Sequence, residues 1–126
     1  MLSILITSCN FSEKELIGIY SPVNYRNTFD IIKLKKDSLY FRKVYDSNKD
    51  LVLKNQGKWS VKENVIKFES PYFYNLDSDL VKFPELLKDT LSNGGGYIWS
   101  KDGVIEFCVR YYAADESDQN CYKKLN

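Results

Sequence analysis

Residues 28–46, Thr28-Phe29-Asp30-Ile31-Ile32-Lys33-Leu34-Lys35-Lys36-Asp37-Ser38-Leu39-Tyr40-Phe41-Arg42-Lys43-Val44-Tyr45-Asp46, decide the fold class. Isoleucine, valine, tyrosine and phenylalanine dominate the apolar positions and favour a pleated, half-buried surface. Asp37-Ser38 divides the stretch into strands over Thr28 to Lys36 and Leu39 to Asp46, with a two-residue turn that lacks glycine. Working outward, Leu16 to Tyr20 reads as a short strand broken by Ser21-Pro22. On the other side, Leu51 to Lys54, Lys58 to Val61 and Val65 to Glu69 are three more, separated by Asn55-Gln56-Gly57 and Lys62-Glu63-Asn64. Short strands at this even spacing have the rhythm of a meander barrel or sandwich.

Ser70-Pro71 ends that run, and Pro71 to Asp79 reads as an aromatic and polar connection. Pro84 to Ser92 predicts one short helix, with proline in its first turn and Leu86, Leu87 and Leu91 along a stripe. Asn93-Gly94-Gly95-Gly96 stops it. Tyr97 to Ser100 and Val104 to Tyr112 flank Lys101-Asp102-Gly103, the best turn signal in the chain, and Asn120 to Leu125 closes it. The expectation is a mostly β, single antiparallel meander barrel of about nine strands, with one short helix near 84–92.

Composition excludes several chemistries. The 126 residues contain no histidine, which removes Ser-His-Asp and Cys-His nucleophile systems and histidine-ligated metal sites. Eighteen basic residues against seventeen acidic ones leave a net charge of +1, no general pull toward nucleic acid. The preference for Lys, Asn, Tyr, Phe and Ile fits AT-rich codons and a bacterial source. Asn93 to Gly96 lacks the Gly-Lys-Ser/Thr of a phosphate loop, and Asp77, Asp79 and Glu85 lack the spacing of a calcium loop. Lys33, Lys35 and Lys36, and Lys123-Lys124, read as solvated or edge-protecting charges. No catalytic residue, metal ligand or cofactor is expected.

Met1 to Cys9 is an uncharged apolar run ending in small residues before a cysteine. Read alone, it is either a first buried strand or the tail of a secretory signal. Ile6-Thr7-Ser8-Cys9 resembles the lipobox of bacterial lipoproteins. The resemblance implies cleavage after Ser8, lipidation of Cys9 and, since Asn10 is not aspartate, an outer-membrane anchor with the domain periplasmic or surface-facing. The implied organisation is a residual signal segment over 1–8, a linker over 9–15 and a β domain over 16–126.

Cys108 and Cys121 then remain as an even pair in an oxidising compartment. Pairing them across a hairpin centres the turn between Ala114 and Asp115, inside a polar loop, so a disulfide is expected there. Two free thiols are the alternative. Gly18-Ile19-Tyr20 is similar to the Gly-x-Trp/Tyr opening of lipocalin-like domains. Gly57-Lys58-Trp59-Ser60-Val61, followed by Asn64-Val65-Ile66-Lys67-Phe68, looks like a hairpin of small lipocalin-like lipoproteins. The resemblance spans residues 16–69 and implies an up-and-down barrel whose interior holds a ligand or is filled.

The aromatics supply the candidate site. Tyr72, Phe73 and Tyr74 stand in a row after Pro71, and Tyr97 and Trp99 share a strand face. They either cap an open barrel end or form a binding surface. The expected function is a non-enzymatic envelope lipoprotein binding a small apolar ligand near Tyr20, Trp59 and Trp99. The alternative is an inhibitor or immunity-type module that meets an envelope protein through exposed aromatics and loops. A purely structural envelope role is a third reading.

Overall fold

The computed structural model describes residues 10–75, 77–109 and 120–125. Eight antiparallel strands close into a barrel in chain order: β1 (Gly18–Pro22), β2 (Phe29–Lys35), β3 (Leu39–Tyr45), β4 (Leu51–Lys62), β5 (Val65–Phe68), β6 (Gly94–Lys101), β7 (Val104–Cys108) and β8 (Cys121–Lys124). Closure comes from β1, which pairs with β2 on one side and with β8 on the other. The meander barrel expected from the sequence is therefore present, with eight strands where nine were expected. The difference lies at Asn55-Gln56-Gly57, read as a break, where β4 continues unbroken through both predicted segments. Its first part pairs with β3 and its last four residues with β5, so one long strand turns a barrel corner. Gly57 fits there because a Cβ would lie 2.8 Å from the Tyr40 ring.

Alternation puts Asp30, Ile32 and Leu34 of β2 and Tyr40, Arg42 and Val44 of β3 inside, with their odd-numbered neighbours outside. The turn between them has three residues, since Lys35 pairs with Leu39 and Asp37 and Ser38 both adopt positive φ. Glu63-Asn64 and Asp102-Gly103 are two-residue turns with φ positive at both positions, the twist-matching hairpin geometry.

The helix expected near 84–92 is a short 3-10 helix over Pro84–Lys88. A single α-helical turn, α1 (Glu13–Leu16), lies near the start, and another, α2 (Asp79–Lys82), follows the aromatic row. The Leu86-Leu87-Leu91 stripe does not face a core: Leu87 packs inward, while Leu86 and Leu91 are exposed. Gly94, Gly95 and Gly96 do not stop a helix but open β6. They allow close approach, since a Cβ on Gly94 would strike the Tyr72 ring and one on Gly96 the Cys108 carbonyl oxygen.

The ends of the barrel are sealed differently. At one end, with the hairpins at 36–38, 63–64 and 102–103, α1 is held by a capping box between Ser12 and Glu15. Leu16 is fully buried and its carbonyl accepts the Tyr20 hydroxyl at 2.7 Å, while the Phe11 N–H donates to Asn64 Oδ1 at 2.8 Å. Most of the segment read as a linker is thus docked on the barrel. Residues 69–93 cover the opposite end, where Tyr72 and Phe73 are buried. The lipobox segment, with Cys9, lies outside the described residues, as do Leu76, the loop 110–119 and Asn126.

Cys108 faces Cys121 in the β7–β8 register, with Cα atoms 3.9 Å apart and sulfurs at bonding distance. The Val109 N–H donates to the Asn120 carbonyl at 3.0 Å, which makes 109/120 a hydrogen-bonded pair and 108/121 the non-hydrogen-bonded pair beside it. The expected cross-hairpin bridge is present.

Candidate functional site

The barrel interior is occupied by its own side chains. Tyr20, Tyr40, Trp59, Phe68, Tyr72, Phe107 and Tyr122 are almost wholly buried. Ring contacts run continuously from Tyr20 through Phe107 and Phe68 to Tyr72, with centroids 4.8, 5.8 and 5.1 Å apart. The Trp59 indole N–H donates to the Lys35 carbonyl at 3.0 Å. Tyr20, Trp59, Tyr72 and Phe73, expected among ligand- or partner-binding residues, are buried in the core.

Within this core lies an ion pair that sequence reasoning missed. Arg42 Nε and Nη2 donate to the two oxygens of Asp30 at 2.9 and 2.8 Å, and both side chains are fully buried. Asp30 Oδ2 also accepts the Tyr122 hydroxyl at 2.8 Å and the Asn75 amide at 3.1 Å. Arg42 Nη1 donates to the Phe73 carbonyl, and its guanidinium stacks 4.7 Å from the Tyr72 ring centroid. Burial works against the arginine charge, but the Asp30 carboxylate beside it more than offsets this and holds its pKa above the usual value. Burial, and then the Asp30 charge, pushes the Tyr122 phenol well above the ordinary tyrosine range. Tyr72 is also raised by burial, against the opposing pull of Arg42. The one available signal was positional: Asp30 and Arg42 occupy inward places in otherwise apolar alternations.

This network also fixes the covering connection. Its irregular backbone needs partners, and side chains rising from the barrel supply them. Tyr40 and Asn55 donate to the Pro71 carbonyl at 3.1 and 3.0 Å, and Asn75 Oδ1 accepts the Leu80 N–H at 3.1 Å. Asp77, considered as part of a calcium loop, instead clamps 26–28. Its Oδ1 accepts the Arg26 and Asn27 N–H groups, and its Oδ2 accepts the Asn27 amide.

Further groups able to bind stand on the outer surface. Tyr97 is 69% exposed and Trp99 is 37% exposed on β6, while Tyr74 is half-buried with its hydroxyl on the Asn93 carbonyl at 2.7 Å. The row Tyr72-Phe73-Tyr74 thus caps the barrel end, and only Tyr97 and Trp99 of the expected aromatics present substantial surface. Beyond the expected set, Val81, Phe83, Leu86 and Leu91 are exposed on the covering connection, Leu91 at 85%. The leucine stripe was visible in the sequence, but its periodicity pointed to a buried helix face. Two open depressions mark the outer wall, about 540 Å³ beside Phe41, Lys43 and Lys54 and about 250 Å³ beside Gly103, Val104 and Lys124. Comparison with protein-family models, curated proteins and solved structures finds no match to this chain.

Proposed function

We propose that this protein is a non-enzymatic envelope lipoprotein of lipocalin-like architecture that binds a partner protein through its outer surface, in the manner of an inhibitor or immunity module. The observation that carries this reading is the set of apolar groups Val81, Phe83, Leu86 and Leu91 left exposed on one connection, while the interior aromatics pack ring against ring. Single exposed apolar residues are ordinary, whereas several on one segment mark a contact surface. Topology supports the arrangement. Phe11, two residues after Cys9, is seated at the barrel end opposite the 69–93 connection. A lipid on Cys9 would hold that end toward the outer membrane and direct the connection away from it.

The rival reading is a small apolar ligand inside the barrel, whose end Tyr72 and Phe73 cap. Capture of a partner from native envelopes by the full chain, lost on Phe83→Ser with Leu91→Ser, is the expected result. Retained capture by that folded variant would overturn the proposal. Saturable native-state uptake of 1-anilinonaphthalene-8-sulfonate that Tyr72→Trp abolishes would favour the ligand reading.

A further inference from the structure

The outer wall of β2, β3 and β4 carries a second feature, independent of the connection. Strand registers place its outward residues on a grid of three rows: Ile31, Lys43 and Lys54; Lys33, Phe41 and Gln56; Lys35, Leu39 and Lys58. Phe41 stands at the centre, and five of the eight residues around it are lysines. No acidic residue occupies the grid, and the ion pair recorded among the described residues is the buried Arg42–Asp30 pair. In a chain of net charge +1, this is a strong local excess.

The pairing is also electrostatically costly. Trp59 N–H donates to the Ser38 carbonyl, so 38/59 is a hydrogen-bonded pair. Alternation along the ladder then makes 43/54 a non-hydrogen-bonded pair, the closer kind, with Cα atoms about 4.5 Å apart. Like charges directly opposed in this way destabilise a sheet. Lys35 Nζ lies 4.7 Å from the Phe41 ring centroid, which draws a further charge to the apolar centre.

We propose that this face binds an anionic glycan, a saccharide carrying sulfate, phosphate or carboxylate groups. The depression of about 540 Å³ here is lined by Phe41, Arg42, Lys43, Lys54, Asn55 and Gln56. That volume is in the range of small-ligand sites, roughly 300–1,000 Å³. Lys43 and Lys54 supply charge for the anionic groups, Gln56 supplies an amide for hydroxyls, and Phe41 supplies a flat apolar contact for a sugar's C–H face.

The test titrates the full chain with heparin-derived oligosaccharide at several salt concentrations, following backbone amide shifts. Perturbation centred on residues 31–58 is expected, with affinity falling about tenfold in Lys43→Gln with Lys54→Gln. Lys14→Gln with Lys101→Gln, exposed elsewhere, should change it less than about twofold. A uronic-acid oligosaccharide and a sugar-phosphate oligomer distinguish the anionic group, and binding of any of the three at this face supports the proposal. Equal loss in both double variants would overturn it, as would shifts away from this face. So would binding to phosphatidylglycerol–phosphatidylcholine vesicles, or to a neutral maltooligosaccharide, with none of the three anionic saccharides bound. The glutamine variants keep strand geometry, and an unchanged far-ultraviolet spectrum confirms that loss is not unfolding.

Discussion

Arg42 and Lys43 are consecutive residues of one strand with the same charge, yet the barrel treats them in opposite ways. Arg42 points inward, and the network around Asp30 and Arg42 leaves no buried side-chain nitrogen or oxygen unpaired among the described residues. Lys43 points outward, faces Lys54 across the strand pair and has no ion-pair partner among the described residues. The inner charge requires a complete shell, because desolvation without one is ruinous. The outer charge requires only water. The two neighbours divide the labour: the inside of these strands specifies how the chain closes, and the outside is free to carry recognition.

Substitution at the two neighbours gives the largest expected effect. Arg42→Met strands Asp30 in the core and should cost about 3–5 kcal/mol in urea unfolding, whereas Lys43→Met should stay within about 0.5 kcal/mol. Equal effects would break the contrast. Next is the bridge across β7 and β8, which closes a loop of sequence separation 13 beside the network residue Tyr122. Cys108→Ser with Cys121→Ser should lower stability by about 3 kcal/mol. A loss below about 1 kcal/mol would mean that packing alone holds this seam.

The buried phenols sharpen the comparison through pH. Burial raises Tyr20, Tyr25, Tyr72 and Tyr122 above the ordinary value of 10.0. The folded state keeps their protons where the unfolded chain releases them. Stability is thus unaffected by these groups below the unfolded value and falls as pH rises beyond it. Each contributes up to about 1.4 kcal/mol per pH unit. Tyr122→Phe should remove one such increment from the alkaline slope, and an unchanged slope would exclude Tyr122 as a contributor. The smallest effect belongs to the outer wall, where Lys54→Met should stabilise the protein by a few tenths of a kcal/mol, about 0.2–0.5, by relieving Lys43. A measurable loss there would show that Lys54 already has a stabilising role.

Much of the fold was legible because period-two alternation and turn chemistry are local. The strands around Asp37-Ser38, the Asp102-Gly103 turn and the Cys108–Cys121 register all follow from neighbours in sequence. The errors share a cause. Asn55-Gln56-Gly57 and Gly94-Gly95-Gly96 look like breaks by propensity, yet both lie in strands because rings or backbone pass too close for a side chain. Ser12-Glu13-Lys14-Glu15 carried a capping box that the reading as a linker passed over. The site was less legible still. Tyr72 and Phe73 left two readings open, a cap on the barrel end or a binding surface, and both rings are buried at that end. Lys33 and Lys35 read as solvated or edge-protecting charges, and register set them on one face with Lys43, Lys54 and Lys58.

Strand rhythm, turns, the even cysteine pair and the absence of histidine could be read along the chain, since each depends on residue identity or short spacing. That the barrel closes, that Asp30 meets Arg42, and which aromatics and lysines stand outside were settled by the folded chain alone. Those outcomes depend on pairing between residues far apart in the chain. A one-residue shift in register would exchange the inner face for the outer one.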